Sequence, residues 1–439
     1  MKRIRGRGIG ALVATVALAG TVLSACSSGG GSSSQVPASS KQTLTLWENY
    51  GTEQNAVATK ALAVAYHKLN PNITINVVSQ PADNYFSLLQ ASAISKKGPD
   101  LAVMWTGLYA LQYSSFLENL QGHIPAASLA QVNGLNWMSP NFTTSNGPLV
   151  MPLETQFYIG FYNKADFAKA GIASVPRTWS ELNNACSALK AVGITPIVYG
   201  NGGQALGAEF YPWYDMSYLM IGAHSLAGWK GLYDGSSPWT SQANVAQLTK
   251  WAALKSSGCT NSDVLTKTNN IQDFESGKAA MMIDGTWDTA QYTSTMGSNV
   301  AAFVPPYSDT PINGVVQFPG DGFSVMKYSS HQAAAYKFLT WMTTQAAGAI
   351  VNQAGLIPDI KGMTTTNPVN QQMLNFVSSG MTVYPMLDNV VQVNVVNAGS
   401  KVLPSVLAGQ QSPLSALQNM QQVLNSLPAS QRSSSNYAG

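Results

Sequence analysis

Residues 274–287, FESGKAAMMIDGTW, decide the fold class. At the centre of this segment, residues 279–283 are an apolar run of the length of a buried strand, closed by the turn pair Asp284-Gly285. Thr286 is the predicted N-cap of a further helix, which Trp287 opens. Because open α/β sheets bind ligands at the carboxyl ends of their strands, we expect the Trp287 indole to contact a ligand. Packing of this indole in the core is the alternative.

The residues before this strand predict a short helix. Asn270 is its predicted N-cap, Ile271 and Phe274 share one face, and Gly277 ends it in the left-handed conformation that glycine adopts at low cost.

The N-terminus has the pattern of an export signal. Four basic residues among the first seven precede an apolar run at residues 11–23 that is too short to span a bilayer, so we expect residues 1–25 to be removed. Residues 23–26, LSAC, resemble the lipobox of bacterial lipoproteins, which implies that Cys26 is lipidated. An ordinary signal peptide with an incidental cysteine is the alternative. Residues 26–41 are rich in Ser and Gly and predict a flexible tether.

Composition narrows the function classes. Removing residues 1–25 takes away four cations and no anion, which lowers the formal net charge of the 439-residue chain from +3 to −1. The remaining chain has no basic excess, which argues against nucleic acid as a partner. Only 10% of the residues are charged, which suits an exported protein that recognises neutral polar ligands. The length predicts two domains.

Cysteine and histidine usage predicts a disulfide and no metal centre. Besides Cys26 there are two cysteines, Cys186 and Cys259, and an even pair in an oxidising compartment favours a bridge. The four histidines are scattered, without metal-ligand spacing, so we expect no metal site and no cofactor.

The first hundred residues after the tether alternate strands and helices. Residues 44–47, 73–77 and 101–105 are predicted strands, and helical patterns separate them. Right-handed crossovers between parallel strands lead to a doubly wound sheet. Glu48 and Asn49 follow the first strand and Trp105 ends the third, so all three side chains are expected at the same crevice.

Three apolar segments are predicted to cross between two lobes, at residues 150–162, 303–306 and 355–358. The first lobe then comprises residues 42–153 and 304–356, and the second comprises residues 154–303 and 357–430. The tail of the second lobe is expected to be helical in pieces, broken by prolines that include Pro404.

An aromatic segment at residues 209–218 suits a sugar-binding wall, although packing would explain about half of its rings. Its aromatic residues are Phe210, Tyr211, Trp213, Tyr214 and Tyr218.

The chain resembles the extracellular solute-binding proteins that deliver sugars to ABC importers. The resemblance covers essentially the whole chain, and the order and spacing of its motifs are more specific than any one of them. These motifs are the lipobox, Pro99-Asp100, Tyr162-Asn163-Lys164, Pro176 with Thr178-Trp179, Gly277-Lys278-Ala279-Ala280-Met281, Gly285-x-Trp287, and a helix with Ala335 and Phe338-Leu339. The resemblance implies an α/β fold of the two-lobe, periplasmic-binding-protein-like type II class, with the ligand cleft between lobes joined by a multi-strand hinge.

Members that bind maltodextrins resemble this chain at Trp105, at Trp287, and at Phe210 or Tyr211, where aromatic rings stack on sugar. Two positions depart from their pattern. Gln156 stands where those relatives have a carboxylate, and Asn394 lies where they have a tryptophan.

The predicted function is capture of a neutral mono- or oligosaccharide and its delivery to the permease of an ABC importer, without catalysis. The protein is expected to be a monomer, anchored by lipid at the extracytoplasmic face of the cell membrane. The candidate ligand-binding residues are Glu48, Asn49, Trp105, Gln156, Tyr211, Trp213, Trp287 and Asp321.

A lipid-anchored glycosidase is the alternative, since paired carboxylates could flank a scissile bond. The acids that motivate it are Glu48, Glu154, Glu209, Asp284, Asp288 and Asp321. A peptide binder is less favoured, because no cluster of Arg or Lys marks a carboxylate site.

Overall fold

A computed structural model describes residues 35–37, 39–51, 53–200 and 211–434. The predicted signal segment, the lipidation site Cys26 and most of the tether lie outside these residues. Within them, no helix combines the length and the apolar character that crossing a membrane requires.

The strands in chain order are β1 (Gln42–Glu48), β2 (Ile73–Ser79), β3 (Leu101–Met104), β4 (Met151–Pro152), β5 (Thr155–Asn163), β6 (Thr195–Ile197), β7 (Ala279–Gly285), β8 (Val300–Phe303), β9 (Gly314–Pro319), β10 (Gly322–Val325) and β11 (Thr382–Tyr384).

The α-helices are α1 (Gln54–Leu69), α2 (Tyr85–Ser95), α3 (Leu108–Gln112), α4 (Ala126–Leu129), α5 (Lys164–Lys169), α6 (Trp179–Ala191), α7 (Tyr211–Ala223), α8 (Leu226–Asp234), α9 (Gln242–Ser256), α10 (Asn270–Glu275), α11 (Thr289–Met296), α12 (Gln332–Met342), α13 (Gln345–Gln353), α14 (Pro368–Ser378), α15 (Leu387–Val390), α16 (Val393–Leu407) and α17 (Pro413–Ser426).

Two sheets organise these elements into two lobes. The first sheet has the strand order β2-β1-β3-β10-β4. Its strand β1 is parallel to both neighbours, with Leu46 opposite Val77 on β2 and opposite Leu101 on β3, whereas β10 is antiparallel. This is the parallel arrangement that the alternating strands and helices predicted.

The second sheet has the order β11-β9-β5-β7-β6, and β8 pairs with β5. Along β5, Phe157, Ile159 and Phe161 pack in one apolar cluster while Tyr158 packs in another. Both faces of the sheet are therefore covered, as the continuous apolar sequence of β5 requires. A separate apolar cluster fills the first lobe.

The chain passes between the sheets three times, and the crossing segments lie side by side. Gly320 N donates to Glu154 O at 2.6 Å and Leu153 N donates to Asp321 O at 2.8 Å, so the first two crossings are bonded to each other. Thr155 N donates to Ile357 O at 2.8 Å, which joins the third to the first. These segments form the hinge between the lobes.

The second crossing differs from the sequence prediction, which began the return to the first lobe at residue 304. Strand β9 pairs with β5 and β11, so residues 314–319 lie in the second sheet. The chain returns only at residues 320 and 321, because the apolar run at 303–306 ends β8 and remains in the second lobe.

Residues 270–277 form the predicted helix, with one correction. Helix α10 starts at Asn270, so its N-cap position is Asn269. The side chain of Asn269 makes no capping hydrogen bond. The prediction that Asn270 is the N-cap is therefore wrong. Gly277 has φ of +74°, the left-handed conformation that was predicted.

The predicted cap at Thr286 is also wrong. Its Oγ1 accepts a hydrogen bond from Phe157 N at 3.2 Å, which ties β5 to the end of β7. The chain makes one turn of 3₁₀ helix at residues 286–288, and α11 begins only at Thr289. Trp287 therefore lies in the turn itself.

Cys186 and Cys259 form a disulfide in the second lobe, with their Cα atoms 5.2 Å apart, which confirms the predicted pairing. The bridge joins α6 to the residues that follow α9.

Candidate functional site

Trp105 lies directly after β3 at the carboxyl end of the first sheet, as predicted, and is half-buried. Its ring packs edge to face against Phe86, with centroids 4.7 Å apart, and against Tyr109 at 5.0 Å. Edge-to-face pairs fix ring orientation, so this indole is held in place while part of it stays accessible.

Trp287 occupies the matching position after β7 in the second lobe and is also half-buried. Its ring packs edge to face against Tyr158 at 6.0 Å and Tyr214 at 5.6 Å. The six-membered ring also lies over Gly285, where a Cβ would overlap three ring atoms. The Gly-x-Trp motif therefore has a packing reason: the indole covers a position that has no side chain.

Contacts from Trp287 lead through Tyr158 to the carboxylate of Asp388. Tyr158, which packs on Trp287, donates its hydroxyl hydrogen bond to both carboxylate oxygens of Asp388, at 3.1 and 3.0 Å. The charge of Asp388 reaches Tyr109, the neighbour of Trp105, and adds to burial in raising the Tyr109 pKa. Asp388 therefore bonds a tyrosine beside Trp287 and influences a tyrosine beside Trp105.

The lobes touch directly at Asn389, the residue after Asp388. Asn389 Nδ2 donates to Thr106 O at 3.2 Å, and a Cβ on Gly107 would overlap the backbone of Asn389. The short helix α15 therefore lies against the loop after β3.

The first crossing segment contributes a buried carboxyl group. Glu154 is fully buried, and its Oε1 accepts hydrogen bonds from Asn55 Nδ2 and, at 3.0 Å, from Gln156 Nε2. Its Oε2 has no partner among the described residues. Burial raises the pKa of Glu154 to about 7, against the opposing effect of these two hydrogen bonds.

Asp321 lies in the second crossing segment, beside Glu154. Burial, followed by the charges of Glu154 and Asp388, raises its pKa well above the ordinary value. The tyrosine Tyr50, after β1, is 4% exposed and its hydroxyl has no hydrogen-bond partner among the described residues. Its pKa is raised by burial and then by the charges of Asp321, Glu154 and Glu48.

Further carboxyl groups in both lobes have raised pKa values. Glu53, which precedes α1 in the first lobe, has a pKa raised by burial and then by the charges of Asp321, Glu154 and Asp284. Asp288, after Trp287, has a pKa raised by burial and then by Asp284 and Glu53. Asp284 accepts a hydrogen bond from the hydroxyl of Tyr292. Burial raises the pKa of Asp388 to about 7.

We call this group of acids the cleft carboxyls; its members are Glu53, Glu154, Asp284, Asp288, Asp321 and Asp388. Glu53, Asp288 and Asp321 each have a pKa that is raised first by burial and then by the charges of other members of this group. The described residues contain no group of three or more His, Cys, Asp or Glu side chains arranged to hold a metal ion.

The candidate residues differ in how they fit this site. Glu48 is fully buried, and its carboxylate accepts hydrogen bonds from Tyr50 N at 2.7 Å and from the hydroxyl of Ser79, so it ties strand ends together. Asn49 is 3% exposed, with its Oδ1 unpartnered within the described chain. Gln156 donates to Glu154 beside the crossing, as described above.

Trp213 is a core residue and does not reach the cleft. It is fully buried, its Nε1 donates to Ser400 Oγ at 2.9 Å, and its ring packs against Gly399. Its neighbour Tyr214 contacts Trp287 instead, so the aromatic segment contributes both to the core and to the cleft. The side chain of Tyr211 and all of residues 201–210, including Phe210 and Glu209, lie outside the described part of the chain.

Sequence reasoning missed Glu53, Tyr109 and Asp388. The first two follow predicted strands, so their place in the chain was a usable signal. No motif in the sequence around Asp388 indicates its position, because the residues it contacts, such as Tyr158, are distant in sequence.

Comparison of the chain with known proteins identifies a matching family. The family described as bacterial extracellular solute-binding protein matches residues 50–349. Among curated proteins, a putative binding protein of Brucella abortus (strain 2308) is 26% identical over 222 residues, which cover 50% of this chain and 52% of that protein. The chain thus spans about half the length of the curated relatives it matches.

Several solved structures have the same fold. A chitin oligosaccharide binding protein superposes with a TM-score of 0.75 at 22% identity, covering 87% of this chain and 98% of that one. The GacH receptor of Streptomyces glaucescens, solved without ligand and with acarbose, has a TM-score of 0.72 at 19% identity and coverages of 88% and 99%. Maltose-bound MalE3 of T. maritima has a TM-score of 0.72 at 18% identity, with coverages of 87% and 98%. The fold is therefore the two-lobe fold of solute-binding proteins, as the sequence predicted.

Proposed function

This chain belongs to the family of bacterial extracellular solute-binding proteins, and on that premise we propose that it binds a mono- or oligosaccharide between its lobes and delivers it to an ABC importer. The observation that supports the proposal is the pair of half-buried tryptophans, Trp105 and Trp287, each directly after a strand of a different lobe and each oriented by edge-to-face contacts. A sugar ring has two apolar faces and an equatorial belt of hydroxyls. Indole rings suit its faces, and carboxylates accept hydrogen bonds from its hydroxyls.

The binding free energy that this function requires is modest. A dissociation constant near micromolar corresponds to about −8 kcal/mol. Each net hydrogen bond contributes about 0.5 to 1.5 kcal/mol. Two stacked rings and several such bonds therefore suffice for the affinity of a transport receptor.

The names of the structural neighbours favour the same ligand class. One is a chitin oligosaccharide binding protein, one was solved with acarbose, and one was solved with maltose. The first name describes a binding protein and the second a receptor, and none describes a glycosidase, so the glycosidase alternative gains no support from them.

Anchoring and partners complete the proposal. Residues 23–26 resemble a lipobox, so Cys26 would carry the lipid and residues 26–41 would tether the lobes above the extracytoplasmic face of the membrane. The permease of the importer would then meet the closed, liganded form, with the binding protein acting as a monomer.

A thermal-shift screen of the exported domain against neutral and amino sugars tests the ligand class. A ligand that binds only the folded state raises the midpoint by mass action. We expect at least one saccharide to raise the midpoint in a concentration-dependent way, and calorimetric titration to give one site per chain. A response confined to peptides or other non-saccharides would contradict the proposal. Release of reducing ends from a bound oligosaccharide would favour the glycosidase instead.

A further inference from the structure

Lysines collect at one edge of the first sheet. Strands β1, β2 and β3 are parallel, and β10 is antiparallel to β3, with Val325 opposite Leu101. The amino ends of the three parallel strands therefore lie at the same edge as the carboxyl end of β10, and we call it the amino edge. Five exposed lysines adjoin these four strand ends: Lys41, Lys68, Lys96, Lys97 and Lys327.

Contacts hold the loops of the amino edge together. His67 Nδ1 lies 2.8 Å from Ile73 O, which fixes Lys68 beside the start of β2. A Cβ on Gly98 would lie 2.7 Å from the Tyr328 hydroxyl, so the loop before β3 packs against the residues that follow β10. Since β1 begins opposite the start of β2 and lies between β2 and β3, the five lysines extend along one edge.

Two acids lie beside these lysines, and both are engaged elsewhere. Asp100 contacts His331 Nδ1 at 2.9 Å and accepts a hydrogen bond from Thr45 N at 2.8 Å. Glu118, whose N–H bonds the end of β10, accepts from Gln332 Nε2 at 2.9 Å. In the described part of the chain, no ion pair joins either acid to one of the five lysines, so the amino edge has a positive excess.

The opposite edge of the same sheet has the opposite charge. Glu48 ends β1 and Asp321 precedes β10, so both acids lie where the chain crosses to the second lobe. Trp105 follows β3 at this edge as well. The first lobe is therefore basic at its amino edge and acidic at the edge that holds the proposed sugar platform.

The segment before β1 is bound to the amino edge. Val36 N donates to Ser330 O at 2.8 Å, and Gln35 Nε2 donates to Ser329 O at 2.9 Å. These two serines follow β10, and Ser329 Oγ donates to Asp100 Oδ1 at 2.6 Å, which fixes their loop. The predicted tether therefore joins the first lobe beside the lysines.

The length of the remaining tether limits how far this edge can lie from the membrane. Eight residues, 27–34, separate the proposed lipid site Cys26 from Gln35. An extended chain spans at most about 3.6 Å per residue, so the reach is roughly 30 Å. An anionic lipid surface within reach attracts lysines, and each lysine near it strengthens binding about fivefold.

We propose that the amino edge of the first lobe is a membrane-docking surface for anionic lipid headgroups. The five lysines bind headgroup phosphates, and the edge with Trp105 faces away from the lipid, where solutes arrive. The proposal goes beyond sugar binding, and only its argument from reach rests on the lipid anchor proposed at Cys26.

Vesicles test this surface without the lipid anchor. The exported chain with Cys26→Ser would be sedimented with vesicles of phosphatidylglycerol and phosphatidylcholine in equal parts, and with vesicles of phosphatidylcholine alone. We expect binding only to the anionic vesicles at about 0.1 M salt, and its loss at about 1 M, where charges are screened within about 3 Å. Equal binding to both vesicles, binding that salt does not weaken, or no binding to either would overturn the proposal.

Two variants with the same change in charge locate the effect. The edge variant replaces Lys41, Lys68, Lys96, Lys97 and Lys327 by Gln. The control variant replaces five exposed lysines of the second lobe by Gln: Lys164, Lys169, Lys230, Lys278 and Lys401. The edge variant should bind anionic vesicles about a hundredfold more weakly or less, since its five lysines contribute about fivefold each. The control should stay within about fivefold of the parent, and equal losses would show an effect of net charge alone and overturn the proposal.

Two labels on α2 test the orientation without altering the lysines. Asn84 is exposed at the start of this helix and its side chain makes no capping bond, whereas Ser95 is exposed at the other end, beside the amino edge. The two ends are roughly 16 Å apart. A fluorophore on Ser95→Cys should be quenched by nitroxide-labelled headgroups more than one on Asn84→Cys, both in the Cys26→Ser chain. Equal or reversed quenching would overturn the proposed orientation.

These outcomes are separate from those of the proposed function. The edge variant should bind sugar as the parent does, because its lysines lie at the edge opposite Trp105. Loss of vesicle binding with normal sugar binding therefore leaves the saccharide function standing. The mass of the chain extracted from membranes reports whether Cys26 carries lipid, and the vesicle result decides the docking surface in either case.

Discussion

Gly285→Ala is predicted to abolish one sugar platform with a single added methyl group. The backbone at Gly285 has φ of −112° and ψ of 171°, which alanine adopts without strain. Its Cβ would nevertheless come closer than 3.0 Å to the Cη2, Cζ3 and Cζ2 atoms of Trp287, a distance that real Cβ contacts essentially never reach. The Trp287 ring must therefore rotate away from its present position.

The magnitudes follow from what the ring contacts. Loss of one stacking platform should weaken sugar binding by about 1 to 3 kcal/mol, taking base stacking on aromatic rings as a guide, which is about ten- to a hundredfold. The displaced ring also loses edge contacts with Tyr158 and Tyr214, which are worth about 0.5 to 1.5 kcal/mol each. Replacing glycine by alanine also lowers the conformational entropy of the unfolded chain. This stabilises the folded state by about 0.4 to 1 kcal/mol and offsets part of the loss of stability. Binding should therefore suffer more than folding.

Calorimetric titration with the sugar identified by the thermal-shift screen, combined with urea unfolding, measures both quantities. The matched comparison is a double-mutant cycle of Gly285→Ala and Trp287→Ala, which tests whether the two changes act on the same ring. When Trp287→Ala is already present, Gly285→Ala should have almost no further effect on binding. Additive losses, or normal binding by either single variant, would refute the argument that the ring over Gly285 is a platform.

Four further predictions follow from the same structure. Trp213→Ala, unlike Trp287→Ala, should cost about 3 to 5 kcal/mol of folding stability in urea unfolding, because this ring is fully buried; a normal midpoint would contradict its place in the core. Replacing Cys186 and Cys259 by Ser should lower the unfolding free energy by roughly 2 to 4 kcal/mol. In the wild-type protein, thiol titration of the unreduced, unfolded chain should find neither of these cysteines free. Burial raises the pKa of Asp215 to about 7, so its contribution to stability is present below about pH 4 and is lost as the pH rises to about 7. The stability of Asp215→Asn relative to the wild type should therefore increase over that range, by about 1.4 kcal/mol for each unit of pKa difference, and a pH-independent difference would contradict the assignment. Saturating sugar should reduce the radius of gyration in solution scattering, since three crossings favour rigid-body closure, whereas identical curves would indicate a rigid or already closed protein.

The parts of the site that were predictable depend on short-range patterns. The ends of β1, β3 and β7 could be located because apolar runs of strand length are followed by turn residues, and strand ends in α/β sheets face one crevice. This reasoning placed Trp105 and Trp287 correctly at strand ends. It does not show that their rings bind sugar, which remains a prediction.

Which side chains of α7 face the core and which face the cleft could not be predicted from the sequence. Trp213 and Tyr214 are adjacent on α7, yet the first packs on α16 and the second reaches Trp287. Aromatic residues occur all around this helix, so its sequence has no polar face to indicate which side is exposed.

Proline also misled the sequence analysis in the tail. Pro404 was expected to break the helices, but it lies inside α16 and is buried. Proline removes one backbone donor, and the packing of α16 against α9 and α17 supplies enough apolar burial to keep the helix continuous. Such long-range compensation cannot be read from a local pattern.

The most direct test of the central claim is a crystal structure of the exported domain with the saccharide that gives the largest thermal shift. We predict electron density for one sugar between the lobes, with ring faces against Trp105 and Trp287 and polar groups within hydrogen-bond distance of Glu53 or Asp388. Density at another site would contradict the account. The groove of about 590 Å³ between α6 and α9, beside Trp179 and Lys190, is the clearest such alternative.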